Sequence, residues 1–341
     1  MVGSEAMEKK QHQLLDLATY AFNKPRSKER EEAFDKLLSF SKPYSYWEDN
    51  ELSSMIIDTS FRVYWKDAKL KMSGIGYVAS YPEFRGNGSI RKLMTDILEE
   101  NYEAGTALSY LAPFSYQFYG QFGYQYAFDQ KAYTIPASEF PKGKKTAGQV
   151  QRRAVSEELF EDMAEVHDQV YNQGSLVRPQ HVWEYYFKHK SQPFFATYEE
   201  NGRVLGYLIY EFAGTAFVIR ECITLTQEAQ DALYRFVSSH AASFEVIKWT
   251  APSNVFLEYD LSEPSRIQLQ LQPYMQARIV NLSAFLKVNG QPEFSARIVD
   301  DILPQNNICV GPETDQPEEM TIGAFTARVL RENKAILREY F

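Results

Sequence analysis

The chain has 341 residues, 44% hydrophobic and 24% charged, a globular composition too long for one ordinary core, so two or three domains are expected. A formal net charge of −9 excludes a general nucleic-acid binder, which carries a basic excess, and no apolar run approaches the roughly 18 residues of a membrane span. Cys222 and Cys309 are the only cysteines, so no disulfide framework is expected and a cytoplasmic, reducing location is the default.

In chain order, residues 11–22 predict an amphipathic helix, with Leu14, Leu15, Ala18 and Phe22 at helical spacing, and 28–40 a second, charge-rich helix. Residues 43–50, PYSYWEDN, read as a loop. Two long β-like runs follow, 51–65 and 69–81. Residues 88–103 then place Ile90, Leu93, Met94, Ile97 and Leu98 on one helical face. Residues 106–112 suit a short buried strand, and SYQFYGQFGY at 115–124 a helix-like aromatic piece. The order is an α/β pattern.

At 136–149 the chain turns polar and small, which marks a boundary. Helices are expected over 156–171 and 178–190, strands over 194–200, 203–212 and 215–223, a helix over 226–240 and a strand over 244–250. This order copies the first segment, but its strand-to-helix turn, ECITLTQEAQ, has no glycine. A third shift comes near Pro273. Residues 275–287 and 294–303 read as strands, 304–320 as a polar loop, and 321–341 as a helix capped by Thr321. The expected division is 1–138, 139–272 and 273–341.

One stretch, YPEFRGNGSIR at 81–91, carries chemistry. Main-chain N–H groups at a helix start favour anions, and glycines permit positive φ and close approach. Arg85 and Arg91 add full charges around Gly86, Asn87, Gly88, Ser89 and Ile90. Neither a dinucleotide fingerprint nor a Walker loop is matched. An ordinary glycine turn capping a helix is the plain alternative.

R-x-x-G-x-x-R directly after the strand GYVAS resembles the acetyl-CoA motif of the GNAT acetyltransferase superfamily. Phe118-Tyr119-Gly120-Gln121-Phe122-Gly123-Tyr124 is similar to that superfamily's Y-x-x-x-G-[FY] segment. Val78-Ala79, Pro82, Arg85, Gly88, Arg91, Leu93-Met94, GSLVR at 174–178, QARIV at 276–280 and the terminal Phe341 together resemble one branch, the Eis-like N-acetyltransferases, over nearly the full length. The resemblance implies an α/β (α+β) fold: two tandem GNAT-type mixed-sheet domains, the second degenerate, then a small α/β domain like sterol carrier proteins. It implies acetyl-CoA as co-substrate without a metal, a small-molecule or peptide amine as acceptor, and a homo-oligomer.

By the same resemblance, Val78, Ala79 and Ser80 hold the pantetheine and thioester, residues 85–91 the diphosphate, and Ser115 joins the cofactor site. Tyr119 protonates the departing thiolate, its plain alternative being a core aromatic. The Phe341 α-carboxylate acts as base or as an orienting anion for an ammonium substrate. One departure stands out: the family's acid just beyond the first helix falls at Asn23 or Lys24, which leaves aminoglycosides in question as the acceptor.

Tyr46, Trp47, Glu48 and Asp49 combine aromatic faces with carboxylates and would suit a cationic amine, against the plainer reading of a solvated loop. The five histidines match no metal spacing, no G-x-S-x-G elbow appears, and neither cysteine has an evident base. Two rival functions stay open. One is a tandem-GNAT transferase with a longer acyl donor. The other is a lipid or apolar-ligand carrier whose GNAT part binds CoA without chemistry.

Overall fold

The computed structural model describes residues 2–339, with side chains from Lys10 onward. The chain divides into two compact units. One holds the residues up to Ala127 together with Tyr274–Ala335 and Glu339; the other holds Phe128–Pro273 and Ile336–Arg338. Residues 274–335, read from sequence as the body of a third domain, thus share a unit with the first segment.

The first unit opens with α1 (Val2–Ala21) and α2 (Lys28–Leu38), the latter capped by the Ser27 hydroxyl, which accepts from the Arg30 N–H at 3.3 Å. β1 (Ser41–Glu48) and β2 (Glu51–Trp65) form an antiparallel hairpin. Its turn residues, Asp49 and Asn50, have φ of 46° and 67°, the left-handed pair that matches strand twist. The stretch expected as a loop is therefore mostly strand. β1 is an edge strand half-exposed along its length, so it lacks the alternation that betrays a buried strand, and Pro43 is tolerated there because an edge residue needs no ladder N–H.

β3 (Ala68–Ser80), α3 (Ser89–Glu103), β4 (Leu108–Leu111) and α4 (Tyr116–Gly120) follow, and β5 (Gln125–Pro136) leads into the second unit. There the elements are β6 (Gln149–Arg153), α5 (Glu157–Gln169), α6 (Gln180–Glu184), β7 (Phe194–Glu200), β8 (Arg203–Ala213), β9 (Ala216–Thr224), α7 (Gln227–Ser238) and β10 (Val246–Pro252), with strand order β5-β10-β9-β8-β7-β6. β6 escapes a sequence reading because it is a largely exposed end strand, QVQRR.

β11 (Gln268–Ile279), α8 (Leu282–Asn289), β12 (Ala296–Val299), β13 (Cys309–Val310), β14 (Glu318–Thr321) and α9 (Ile322–Glu332) complete the chain. The first unit's sheet runs β1-β2-β3-β4-β11, with β4 parallel to β3 and the last residues of β11 antiparallel to β4. β12 lies between β13 and β14 in a separate small sheet. The strand expected over 275–287 ends at Ile279, where Asn281 starts a helix by accepting from the Ala284 N–H at 2.9 Å. Thr321 caps α9 as expected, but the helix stops at Glu332. Lys334 takes a left-handed φ of 52°, and Ile336 then bonds the Gln173 carbonyl at 2.8 Å instead of a helical acceptor.

In the second unit a buried ion pair ties the loop before α6 to β9. Arg178 donates twice to Glu221, at 3.0 and 2.7 Å, and the Tyr207 hydroxyl donates to the same carboxylate. Burial alone would raise the Glu221 carboxyl; Arg178 reverses that, so it lies below its ordinary value. A group lowered in the folded state contributes stability above its unfolded pKa and loses it as pH falls through the folded one. Acid unfolding is thus expected below about pH 4.3. Glu221→Gln should flatten that limb in circular dichroism titrations while costing about 3 kcal/mol at neutral pH, because it breaks a buried ion pair from one side.

Candidate active site

β3 and β4 pair in parallel from Met72 with Leu108 to Ile75 with Leu111, where β4 ends; β3 runs on to Ser80. On the other side, the register with β2 slips, so that Tyr77 and Val78 together face Ile56. This is a β-bulge. Tyr77 takes a left-handed φ of 51°, unusual for an aromatic residue, and its ring is gripped by Phe22 and Phe34 at centroid distances of 5.6 and 5.5 Å. A bulge turns main-chain groups out of the ladder. This one does so just past the point where the parallel pairing of β3 with β4 ends, at Ile75 and Leu111.

From Ser80 the chain passes a short 3-10 turn into Arg85–Gly88, all exposed. Gly86 and Gly88 both have φ of 86° with open space where a Cβ would stand, so backbone conformation and not crowding requires glycine. Gly88 opens α3 and supplies no side-chain cap, which leaves early N–H groups of the helix facing outward. Asn87 braces the turn: its Oδ1 accepts from the Ser89 N–H at 2.9 Å and its Nδ2 donates to Glu48. Below it the buried Ser54 hydroxyl shares hydrogen bonds with Ser80 and Ser89, each at 2.7 Å, tying the end of β3 to the start of α3.

Arg85 forms no ion pair among the described residues. Arg91 donates to Gln121 and lies over the Phe122 ring, 5.5 Å to its centroid, which brings the turn to the segment after α4. In α4, begun by Ser115 accepting from the Phe118 N–H at 3.2 Å, Tyr119 is only 2% exposed. Its ring packs edge-on against Phe114, Phe118 and Tyr124. Nothing among the described residues hydrogen-bonds its hydroxyl, and burial pushes the phenol well above its ordinary value, with Tyr124 adding to the shift. Tyr119 shares a core cluster with Ile56, and Val78 packs against that cluster.

Of the residues singled out from sequence, Val78, Ala79, Ser80, residues 85–91, Ser115 and Tyr119 therefore gather around the end of β3, the start of α3 and α4. Glu48 reaches the same turn through Asn87. Tyr46 is 37% exposed and the Trp47 indole donates to Ser45 at 2.8 Å. Phe341 lies outside the described residues. Sequence reasoning missed Ser54, gave no role to Gln121 within the 118–124 segment, and gave none to Gln276 and Arg278, whose QARIV motif was nevertheless visible. It also missed a buried chain of polar groups under the sheet: Asn101 and Ser73 donate to Asp58, Ser109 donates to the Ser73 carbonyl, and Ser109 meets the Tyr124 hydroxyl at 2.7 Å. Burial raises the Asp58 carboxyl. Serines alternating with apolar residues give no signal of such a network.

The second unit repeats the topology without the turn. β9 and β10 pair in parallel only as far as Ile219 with Trp249, and a slip against β8 leaves Arg220 as the extra residue. Yet α7 is capped by Thr226, whose own hydroxyl accepts from the Ala229 N–H at 3.1 Å. A side chain thus takes the amide that the first unit's glycine leaves outward. No group of three or more His, Cys, Asp or Glu placed to hold a metal ion occurs among the described residues, and no helix there is long and apolar enough to cross a membrane.

A bulged strand leading into a helix beside a parallel neighbour is built here twice, and in the first unit the strand enters its helix through a glycine turn. Two models described as acetyltransferase (GNAT) domains match residues 4–127 and 174–279, and the chain belongs to the GNAT acetyltransferase family. It is similar to a conserved protein of unknown function from Enterococcus faecalis, described as a "Probable N-Acyltransferase", at 30% identity and TM-score 0.87, with 98% of each chain covered. It shares its fold with Eis1 from Mycobacterium abscessus, at 16% identity and TM-score 0.77, covering 98% of this chain and 92% of that one. The same holds for a GCN5-related N-acetyltransferase from Anabaena variabilis, at 17% identity and TM-score 0.80, covering 96% and 91%. No curated protein matches the chain.

Proposed function

We propose that the chain transfers acetyl from acetyl-CoA to a primary amine of a small molecule or peptide, by direct attack, in the first unit. The observation that carries the reading is the bulge at Tyr77–Val78, set where β4 ends and continued by the glycine turn at the start of α3. In this reading Val78, Ala79 and Ser80 flank the thioester. The outward amides of residues 86–91, other than that of Ser89, which Asn87 holds, take the diphosphate with Arg85, and Ser115 borders the same site.

The amine nitrogen bonds to the thioester carbonyl carbon. The carbonyl oxygen becomes an oxyanion stabilised by a main-chain N–H near Val78 or Ser80, one such donor being worth about 3 kcal/mol. The C–S bond then breaks as the sulfur takes the Tyr119 proton, and the nitrogen's extra proton passes to the Phe341 carboxylate, directly or through water. The exposed Tyr46 ring and Trp47 face the acceptor at the hairpin tip, with Asp49 attracting its positive charge and Glu48 bracing the turn. The segment 273–341 is the sterol-carrier-like piece, a reading supported by its own small sheet of β12–β14 with α8 and α9. Free Cys222 and Cys309 suit a reducing cytoplasm.

Calorimetry with acetyl-CoA, and thiol release across polyamines, aminoglycosides and lysine peptides, test this. Arg85→Ala should weaken acetyl-CoA binding about tenfold by removing a charge-assisted contact. Gly88→Ala should do so by a similar factor, because a Cβ at that φ strains the backbone by about 1–2 kcal/mol. No heat of binding for acetyl-CoA to the unaltered chain would discard the reading.

A further inference from the structure

Tyr119 sits on a helix barely one turn long, from Tyr116 to Gly120. Such a helix is not stable by its own hydrogen bonds, since nucleation costs more than so few bonds return. Something else must hold it. β11 enters beside β4, with Gln276 opposite Leu111 and Arg278 opposite Ser109. The two side chains are two positions apart and so on one face of the strand, and they are 1% and 0% exposed. The Gln276 Nε2 donates to the Tyr116 carbonyl at 3.1 Å and to the Tyr124 carbonyl at 3.3 Å, one on each side of Tyr119. The Arg278 Nη1 donates to the Phe122 carbonyl between them.

We infer that Gln276 and Arg278 are positioning residues for Tyr119, fixing through three backbone carbonyls the turn that carries its phenol. Two carbonyl acceptors settle which end of the Gln276 amide faces the turn. Its buried Oε1 is left with no partner among the described residues, an unfavourable state that persists only because both donors are engaged. Arg278 is itself anchored: Nη2 meets Asp300 at 2.5 Å, and Asp300 accepts from the Leu303 N–H at 3.0 Å and from Asn306 at 2.9 Å. The fit is tight as well. Gly123 has φ of 78°, and a Cβ there would stand 2.8 Å from Ile322 Cγ2 and 3.0 Å from Arg278 Nη1. The turn is therefore pressed onto β11 as well as bonded to it.

The inference rests on the proposed role of Tyr119, so the test is a double-mutant cycle. Gln276→Leu keeps the volume and removes both donors. It is expected to lower kcat about tenfold with acetyl-CoA binding by calorimetry unchanged, and to lower it no further in a Tyr119→Phe background. Gln276→Glu, isosteric and without the amide donors, should behave alike and stands in if Gln276→Leu does not fold, which thermal melting decides. Full turnover in the Gln276 variants, or losses that multiply with Tyr119→Phe, would overturn the positioning role while leaving the transferase reading intact. Full turnover in Tyr119→Phe alone would remove the general acid, and the positioning role with it.

Discussion

Tyr119→Phe lowers kcat about a hundredfold and leaves acetyl-CoA binding and the melting temperature nearly unchanged: that is the expected result, and each part has a separate cause. General-acid catalysis contributes about 10²–10⁴ in rate, and a phenylalanine supplies none of it. The fold should not suffer, because the packing of the ring against Phe114, Phe118 and Tyr124 survives and the hydroxyl has no hydrogen bond to lose among the described residues. The pH profile makes the assignment sharper. Burial raises the phenol above its ordinary value, so the proton stays on Tyr119 through about pH 10. The rate should therefore rise with pH as the acceptor amine loses its proton and then level off, with no alkaline fall from this residue. Thiol release measured from acid to alkaline pH checks both statements, and an undiminished plateau in the variant removes Tyr119 from the chemistry.

The parts of the site legible in the sequence were those written as local rules. Gly86 and Gly88 announce positive φ, and the apolar stripe Leu93, Met94, Ile97 and Leu98 announces the helix that follows. Thr321 announces a cap. What stayed hidden depends on partners distant in sequence. β1 reads as a loop because an edge strand needs no buried alternation, and only β2 makes it a strand. The bulge has no local signature either: GYVAS is an ordinary strand pattern, and only the register against Met55 and Ile57, with Phe22 and Phe34 holding Tyr77, displaces one residue. QARIV was visible as a motif, but its polar side chains acquire a purpose only when β11 is laid beside β4. The missing glycine turn of the second unit was legible from the absence of glycine in ECITLTQEAQ, and Thr226 supplies the physical reason by capping the helix itself.

Asp300→Ala should be the most damaging single substitution in the first unit, costing about 3–5 kcal/mol. Arg278 and Asp300 are both essentially inaccessible, at 0% and 2% exposure. Burial pulls the guanidinium below its ordinary value, yet an arginine paired with a carboxylate keeps its charge at neutral pH. Removing the carboxylate leaves that charge uncompensated and strips an acceptor from Ile302, Leu303 and Asn306. Urea titration at neutral pH should show the loss as an earlier midpoint, read at Trp65, which packs on Phe285 in this unit. The pair's two jobs can then be separated. A buried ion pair replaced whole by apolar side chains is relieved of its uncompensated charge, so Arg278→Met with Asp300→Leu should recover part of the midpoint, the remainder being lost with the acceptor of Ile302, Leu303 and Asn306. It should not recover turnover, because the Phe122 carbonyl still lacks its donor and the Tyr119 turn its hold. Stability regained with kcat still depressed would locate the value of Arg278 in orientation. Turnover regained along with stability would mean the pair serves the fold alone.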